Sequence, residues 1–219
     1  MDQLEAIRQR HSVRRYQNVP LKAEDKAALQ AVIDEINAES GLHMQLVTDE
    51  PKAFDGTMAH YGHFSGVTNY IAVIGKKGPR LEEDAGYYGE KAVLAAQALG
   101  LNTCWVALTF KKVPSAYRVE KGEKLEIVIS VGYGATQGKP HASKTPEEIC
   151  DGYAEGPDWY RAGVDAALLA PTAMNQQKFH ISLSGDAVQM KPGRGFYTKM
   201  DLGIAMLHFE IGAGRRVRE

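Results

Sequence analysis

The 219-residue chain has few cysteines, no long apolar run and no excess of charge of either sign. Its two cysteines, Cys104 and Cys150, cannot build a disulfide framework, and neither belongs to a C-x-x-C pair. No run approaches the roughly 20 apolar residues that span a membrane, and the first residues lack the basic-then-apolar order of a signal peptide. We therefore expect a cytoplasmic protein that does not insert into membranes.

Basic and acidic residues balance, with 26 against 27 and a net charge of −1. Nucleic-acid binding needs a basic excess or stripe, so nucleic acid is not an expected partner. The seven histidines show no H-E-x-x-H or comparable spacing, and no metal site is predicted. With 44% apolar and 24% charged residues, the composition is typical of a globular protein with one large domain or two small ones.

Hydrophobic periodicity divides the chain into helices and strands, with a long connection at residues 135–159. Strand 70–75 is apolar almost throughout, so we expect both of its faces to be buried. The predicted helices are residues 2–10, 22–39, 83–100, 159–169 and 199–211, which are followed or ended by Gly41, Gly100 and Gly212 where a stop is expected. The predicted strands are residues 44–47, 70–75, 125–134, 179–183 and 187–190, and residues 103–108 are predicted as a strand or an extended loop.

The end of the chain resembles a shortened repeat of its beginning. Aligning Ala31 with Ala166 (166 − 31 = 135) superposes helix, loop and strand, and aligning Gly100 with Gly212 (212 − 100 = 112) superposes the later helices. Because the offsets differ by 23, the first copy would carry an insertion around residues 54–79. The same order of elements also arises by chance in α+β proteins. We predict a single domain whose pseudo-repeat halves are about residues 1–150 and 155–219.

A basic segment follows the first helix and is a candidate anion site. Arg10, His11, Ser12 and Arg14 place guanidinium, imidazole and hydroxyl donors within five residues. In extended backbone, residues two apart share a face, so Arg10, Ser12 and Arg14 should point together. The alternative is a solvated basic surface at the C-terminus of a helix, where positive charge is favourable.

This segment and three later ones, in this order, resemble the FMN-dependent nitroreductase family. The four are Arg10–Arg14 in the wording R-x-S-x-R, Ala96–Val106 in the wording A-x-x-L-G-L-x-x-C-W-V, Ile129–Gly134 as a strand ending in V-G-Y, and the basic stretch Lys139–Lys144. The resemblance covers most of residues 1–150. It implies an α+β fold with a mixed central sheet flanked by helices, and FMN as the cofactor.

The resemblance also implies roles for individual residues. Arg10 and Ser12 would bind the FMN phosphate, with His11 beside the phosphate or the ribityl chain and Lys144 as a further phosphate ligand. Arg14 would approach the N1/O2 edge of the isoalloxazine, where a cation stabilises the negative charge of the reduced ring.

The residues after Cys104 and Trp105 would pass along the other edge of the ring. These are Val106, Ala107 and Leu108, and the backbone N–H of Leu108 is expected to face N5. Family members often have glycine at or beside this position, so Ala107 and Leu108 depart from the pattern. The implied reaction takes hydride from NAD(P)H and reduces an electron-poor small molecule, such as a nitro compound or a quinone, in a ping-pong sequence. It demands no protein acid or base.

The family's flavin-covering loop, worded A-P-S-x-x-N-x-Q, is displaced in this sequence. It normally follows the first long helix, but residues 37–42 lack the needed groups, and a similar wording appears at residues 169–177. In ordinary homodimers one subunit lends this loop to the flavin of the other. We therefore predict a pseudo-dimer with one FMN per chain, monomeric in solution, with a homodimer as the alternative. The loop residues expected at the flavin are Pro171, Thr172, Ala173 and Asn175.

Other readings stay open. The same fold also supports reductive dehalogenation and flavin breakdown, and the basic segment alone fits a non-enzymatic module for an anionic ligand. The stretch His60–Gly66 could line the substrate side or form a surface loop. Gln176 and Gln177 are as well explained by solvent exposure as by function. The basic end, residues 212–218, is expected to be a frayed tail rather than a phosphate contact.

Overall fold

The computed structural model describes residues 1–217, which divide into two compact units. The sheet unit comprises Arg10–Leu81 and Ala92–Lys139. The hairpin unit comprises Met1–Gln9, Glu82–Lys91 and the described residues from Pro140 onward.

The sheet unit is built on four antiparallel strands in the order β1-β2-β4-β3. A parallel bridge between Ser12 and Thr103 adds the Arg10–Arg14 segment beside the edge strand, which makes the sheet mixed. Residues 70–75 are all buried, because their apolar side chains occupy both faces of the sheet. The α+β fold class predicted from the sequence is confirmed. The strands are β1 (Gln45–Val47), β2 (Tyr70–Lys76), β3 (Asn102–Val106) and β4 (Glu123–Gly132).

Glycines end the two long helices as the sequence predicts. Gly41 follows the second helix with a φ of 70°, and Gly100 has a φ of 77°. The N–H groups of Gly100 and Leu101 donate to the carbonyls of Gln97 and Ala96, which closes a Schellman motif. The helices of the first half are α1 (Gln3–Gln9), α2 (Ala23–Ser40), α3 (Thr57–Tyr61) and α4 (Leu81–Ala98).

In the hairpin unit, two helices pack against each other beside a two-stranded hairpin. The predicted end of the last helix at Gly212 is wrong, because the helix continues to Ala213 and Gly214 takes the left-handed φ of 63°. Gly212 instead serves close packing: a Cβ there would lie 2.5 Å from the carbonyl oxygen of Ala162. The elements are α5 (Pro146–Ile149), α6 (Asp158–Ala167), β5 (Phe179–Ser184), β6 (Ala187–Pro192) and α7 (Thr198–Ala213).

Two further findings concern the expectations for membranes and for the basic end. Within residues 1–217, no helix is both long and apolar enough to cross a bilayer. Arg215 stacks over the ring of Trp159 at 4.1 Å, so this part of the predicted tail has a defined contact. Arg218 lies outside the described residues.

Candidate functional site

The basic segment is an extended strip fixed along the edge strand β3. The N–H of Val13 donates to the carbonyl of Thr103 at 3.0 Å. Burial raises the pKa of the Cys104 thiol, and the charge of Arg14, a hydrogen bond with Ser12 and the charge of Arg10 act in the opposite direction. Arg10, Ser12 and Arg14 therefore all affect the ionisation of the buried Cys104 thiol.

The other side of this strip packs against the turn that follows β4. The N–H of Ala135 donates to the carbonyl of Arg15 at 2.8 Å. Gly138 has a φ of 74°, and a Cβ there would lie 2.7 Å from the Cβ of His11 and 3.1 Å from the carbonyl oxygen of Ser12. Only glycine suits this position, because both the backbone conformation and the space exclude a side chain.

A buried, uncharged hydrogen-bond network supports the strip from below. The hydroxyl of Tyr16 lies 2.9 Å from that of Ser130, and the Ser130 hydroxyl donates to the carbonyl of Cys104 at 3.3 Å. Burial raises the pKa of Tyr16 well above its ordinary value, so the phenol stays neutral. The basic strip therefore packs against neutral, hydrogen-bonded side chains, which add no negative charge beside it.

The residues predicted at the ring edge continue directly from β3. Val106 is buried as the last residue of the strand, Ala107 is half-buried, and Leu108 is 69% exposed. A Cβ at Gly62 would lie 2.7 Å from the Cβ of Thr109, so the stretch containing Gly62 packs against this turn.

The stretch His60–Gly66 lies alongside the basic strip. The N–H of Ser65 donates to the carbonyl of Arg14 at 3.0 Å, and the guanidinium of Arg14 lies 6.0 Å from the ring centroid of Phe64. Phe64 is buried, while His60 and His63 are exposed. The sheet unit thus brings together Arg14, the turn after β3 and an exposed imidazole-bearing stretch.

In the hairpin unit, the expected covering loop has a strained backbone. Residues Ala173–Asn175 form a single 3₁₀ turn. Met174, Asn175 and Gln177 have φ values of 51°, 54° and 45°. Non-glycine residues in this region persist only where surrounding interactions hold them, and such strain is concentrated at functional sites. We call Thr172–Gln177 the 172–177 loop.

Side chains hold one end of this loop against the basic stretch Lys139–Lys144. The Asn175 amide donates to the carbonyl of Ala142 at 2.8 Å. Gln177 accepts from the N–H of Lys144 at 2.9 Å, and the Lys144 ammonium donates to the Gln177 carbonyl at 3.0 Å. Solvent exposure is wrong for Gln177, which is buried because its carboxamide joins the two segments.

A buried carboxylate holds the middle of the loop. Asp201, 2% exposed in the first turn of α7, accepts from the N–H of Ala173 at 2.9 Å and from the Gln176 amide at 2.7 Å. Burial raises the pKa of Asp201 to about 6, against the effect of these two hydrogen bonds, and the charge of Glu82 raises it further. Sequence reasoning missed this residue; its signal was a lone acid in the first turn of an apolar helix.

The architecture and the basic strip together define a nitroreductase-like α+β protein. Residues 2–213 match the family model described as "Putative TM nitroreductase". The chain belongs to this family.

Several solved structures have a similar fold. A structure from Thermotoga maritima, described as a "putative nitroreductase", is 22% identical with a TM-score of 0.69, and the match covers 99% of this chain and 87% of that one. A nitroreductase structure from Desulfovibrio desulfuricans, described as a complex with FMN, is 22% identical with a TM-score of 0.54 over 68% of this chain and 95% of that one. A structure from Bacteroides thetaiotaomicron, described as an NADH dehydrogenase/NAD(P)H nitroreductase, is 22% identical with a TM-score of 0.50 over 67% and 95%. No curated protein matches.

Proposed function

We propose that this protein is an FMN-dependent oxidoreductase that takes hydride from NAD(P)H and reduces an electron-poor small molecule. The observation that carries the proposal is the extended strip Arg10–Arg14, which the bridge between Ser12 and Thr103 fixes beside β3. Family membership and the FMN complex of a structurally similar nitroreductase support the choice of cofactor.

The donors of the strip suit the phosphate end of FMN. Guanidinium groups and a hydroxyl are the groups that bind phosphate through charge-assisted hydrogen bonds. Arg10 and Ser12 would hold the phosphate, with His11 beside it. Lys144 would be a further ligand, since its ammonium has three donors and the Gln177 carbonyl takes one of them.

The remaining residues suit a flat ring with one polar edge. Arg14 would face the N1/O2 edge and stabilise the negative charge that reduction places there. Val106, Ala107 and Leu108 would lie along the other edge, with the N–H of Leu108 as a donor. Bound FMN would supply the hydride chemistry, accepting hydride from the nicotinamide and passing it to the second substrate. The chain orients the ring and needs no acid or base of its own for this exchange.

The loop residues Pro171, Thr172, Ala173 and Asn175 would contribute to the same flavin. The Asn175 side chain already bonds Ala142 and accepts from Gln177. One amide N–H of Asn175 is then left for a ligand, so its larger effect would be on the shape of the loop.

The pseudo-dimer remains part of the proposal, and two observations support it. Both halves contain a helix, an antiparallel strand pair and a second helix: α2-β1-β2-α4 and α6-β5-β6-α7. The β1–β2 connection, residues 48–69, has 22 residues, and the β5–β6 turn, residues 185–186, has two, a difference close to the predicted insertion. In addition, the match to the Desulfovibrio structure covers 95% of that structure but only 68% of this chain. About a third of this chain therefore lies outside the match.

The test is the colour and cofactor content of the purified protein. We expect yellow protein with a flavin absorbance band in the blue, which releases FMN and not FAD on denaturation. Parallel double-reciprocal plots with NADH or NADPH and a quinone would support the ping-pong sequence. Colourless protein that cannot be reconstituted with FMN would refute the proposal.

A further inference from the structure

The backbone of the 172–177 loop has an energetically unfavourable conformation. Three of its six residues, Met174, Asn175 and Gln177, have positive φ, and none of them is glycine. Conformations of this kind cost on the order of 1 kcal/mol or more each. Interactions from outside the loop must therefore hold it, and Asp201 makes two of them.

We propose that Asp201 is the positioning residue of the 172–177 loop and that it fixes the loop in the form that receives the flavin. One carboxylate oxygen takes the N–H of Ala173, which opens the 3₁₀ turn, and the other takes the amide of Gln176, which closes it. The inference rests on the proposed function for its purpose, but not for its geometry.

The clamp extends to a second loop. The Gln176 amide also donates to the carbonyl of Phe196 at 2.9 Å, so a single carboxamide joins Asp201 to the residues just before α7. Met174 and Phe196 are 100% and 88% exposed, although both are large and apolar. The carboxylate thus orders two neighbouring backbone segments that each present an apolar side chain to solvent.

A carboxylate is required because every group it meets in the loop is a donor. An asparagine could still accept from Ala173, but its own amide would face the amide of Gln176. Turning the Gln176 side chain would restore that contact and lose the bond to Phe196. Asp201→Asn therefore removes half of the clamp at almost constant shape.

Charged side chains also lie near the clamp. Glu82 of α4 acts on Asp201 as a like charge. The Nζ of Lys178 and the Oε1 of Gln176 both lie beside Gly195, which places a cation near the Gln176 end. The loop itself offers Asp201 only neutral donors. Burial raises the pKa of Asp201 to about 6, so the site favours the protonated carboxyl, and the two hydrogen bonds from the loop offset part of the cost of its charge.

Hydrogen–deuterium exchange of the flavin-free protein, corrected for intrinsic rates, tests the clamp directly. We expect Asp201→Asn to lower protection of the 172–177 amides at pH 8 by roughly tenfold, the loss of one buried hydrogen bond. FMN affinity at pH 8 should fall by about tenfold as well.

Glu210→Gln is the matched control. Glu210 is also a buried carboxylate of α7, and it accepts hydrogen bonds from the Tyr87 hydroxyl at 2.6 Å and from the Val217 N–H at 2.8 Å. This variant should lower the melting temperature while leaving the loop protected. Equal loop protection in Asp201→Asn and wild type would overturn the inference, and so would loss of protection with unchanged FMN affinity. A wild-type protein that binds no FMN would refute the proposed function, and the exchange result alone would then decide the clamp.

Discussion

The two regions proposed to contact the flavin, residues 10–14 and the 172–177 loop, are held by different interactions. The basic strip is held by its backbone, through a parallel bridge to β3 and hydrogen bonds to the stretches around Ser65 and Ala135. The loop is held by side chains, chiefly Asp201 and Gln177, against an unfavourable backbone conformation. Ligand-binding groups can thus be held either by backbone pairing with a sheet or by side-chain hydrogen bonds to a strained turn. Substitutions should therefore weaken the two regions in different ways.

The strip should be most sensitive to added volume. Gly138→Ala places a Cβ against His11 in a backbone with positive φ. We expect a loss of roughly 2 to 4 kcal/mol in the free energy of unfolding, because the left-handed conformation alone costs about 1 to 2 kcal/mol and the steric contact adds to it. Gly152→Ala is the control, since Gly152 also has a positive φ but open space around it. Equal losses in urea denaturation would show that the strip is not tightly packed there.

Charge removal should weaken FMN binding without unfolding the protein. Arg14→Ala is expected to reduce FMN affinity by roughly tenfold to a hundredfold, because hydrogen bonds to charged groups contribute about 1.5 to 3 kcal/mol. Arg14 is exposed, so its loss should barely affect stability. Arg8→Ala removes an exposed arginine of α1 that pairs only weakly with Glu5 at 3.8 Å. Fluorescence titration giving equal affinities for both variants would remove Arg14 from the site.

The buried carboxyl of Asp201 should make the stability of the protein depend on pH. The folded pKa of Asp201, about 6, lies above its ordinary value of 3.8, so the fold favours the protonated form. The stability contributed by this group is complete below pH 3.8 and is lost as the pH rises through 6. Asp201→Asn cannot ionise, so its stability relative to wild type should rise by roughly 1 to 2 kcal/mol between pH 5 and 7.5.

Asp186→Asn, at the exposed turn of the β5–β6 hairpin, is the control for this titration. Its stability difference from wild type should stay constant over the same range. A flat difference for Asp201→Asn in chemical denaturation would show that the buried carboxyl does not titrate in this window.

The smallest effect is expected where the loop is strained but exposed. Met174 has a φ of 51° and is fully exposed. Met174→Gly should relieve the strain while adding freedom to the unfolded chain, so we expect stability to change by less than about 1 kcal/mol. A loss well above this, measured by thermal denaturation, would mean that the Met174 side chain has a partner.

Structural features that depend on local sequence patterns could be predicted from the sequence. Features that depend on contacts between distant residues could not. Helix ends at Gly41 and Gly100 and the buried strand β2 follow from periodicity and backbone preference. The end of α7 at Gly214 could not be predicted in this way. Gly212 is a typical helix-ending residue in the sequence, and only its packing against α6 shows that it lies inside the helix.

The candidate site shows the same division. The motif around Asn175 could be read from its wording, but its positive φ values could not, since non-glycine residues adopt them only under tertiary constraint. Asp201 and Gln177 are separated from their partners by 25 and 33 residues in the relevant hydrogen bonds. No local pattern specifies such pairs.

The central claim is that the basic strip and the loop of a single chain serve one flavin. The Ser12→Ala and Asn175→Ala variants, each expected to bind FMN more weakly than wild type, would be purified separately and then mixed in equal amounts. We expect a monomer by light scattering and no gain in FMN affinity on mixing. Each chain would supply both parts of its own site, so every site would still contain one of the two substitutions. Recovery of about a quarter of the wild-type high-affinity sites, as random exchange of subunits in a dimer would give, would contradict the central claim.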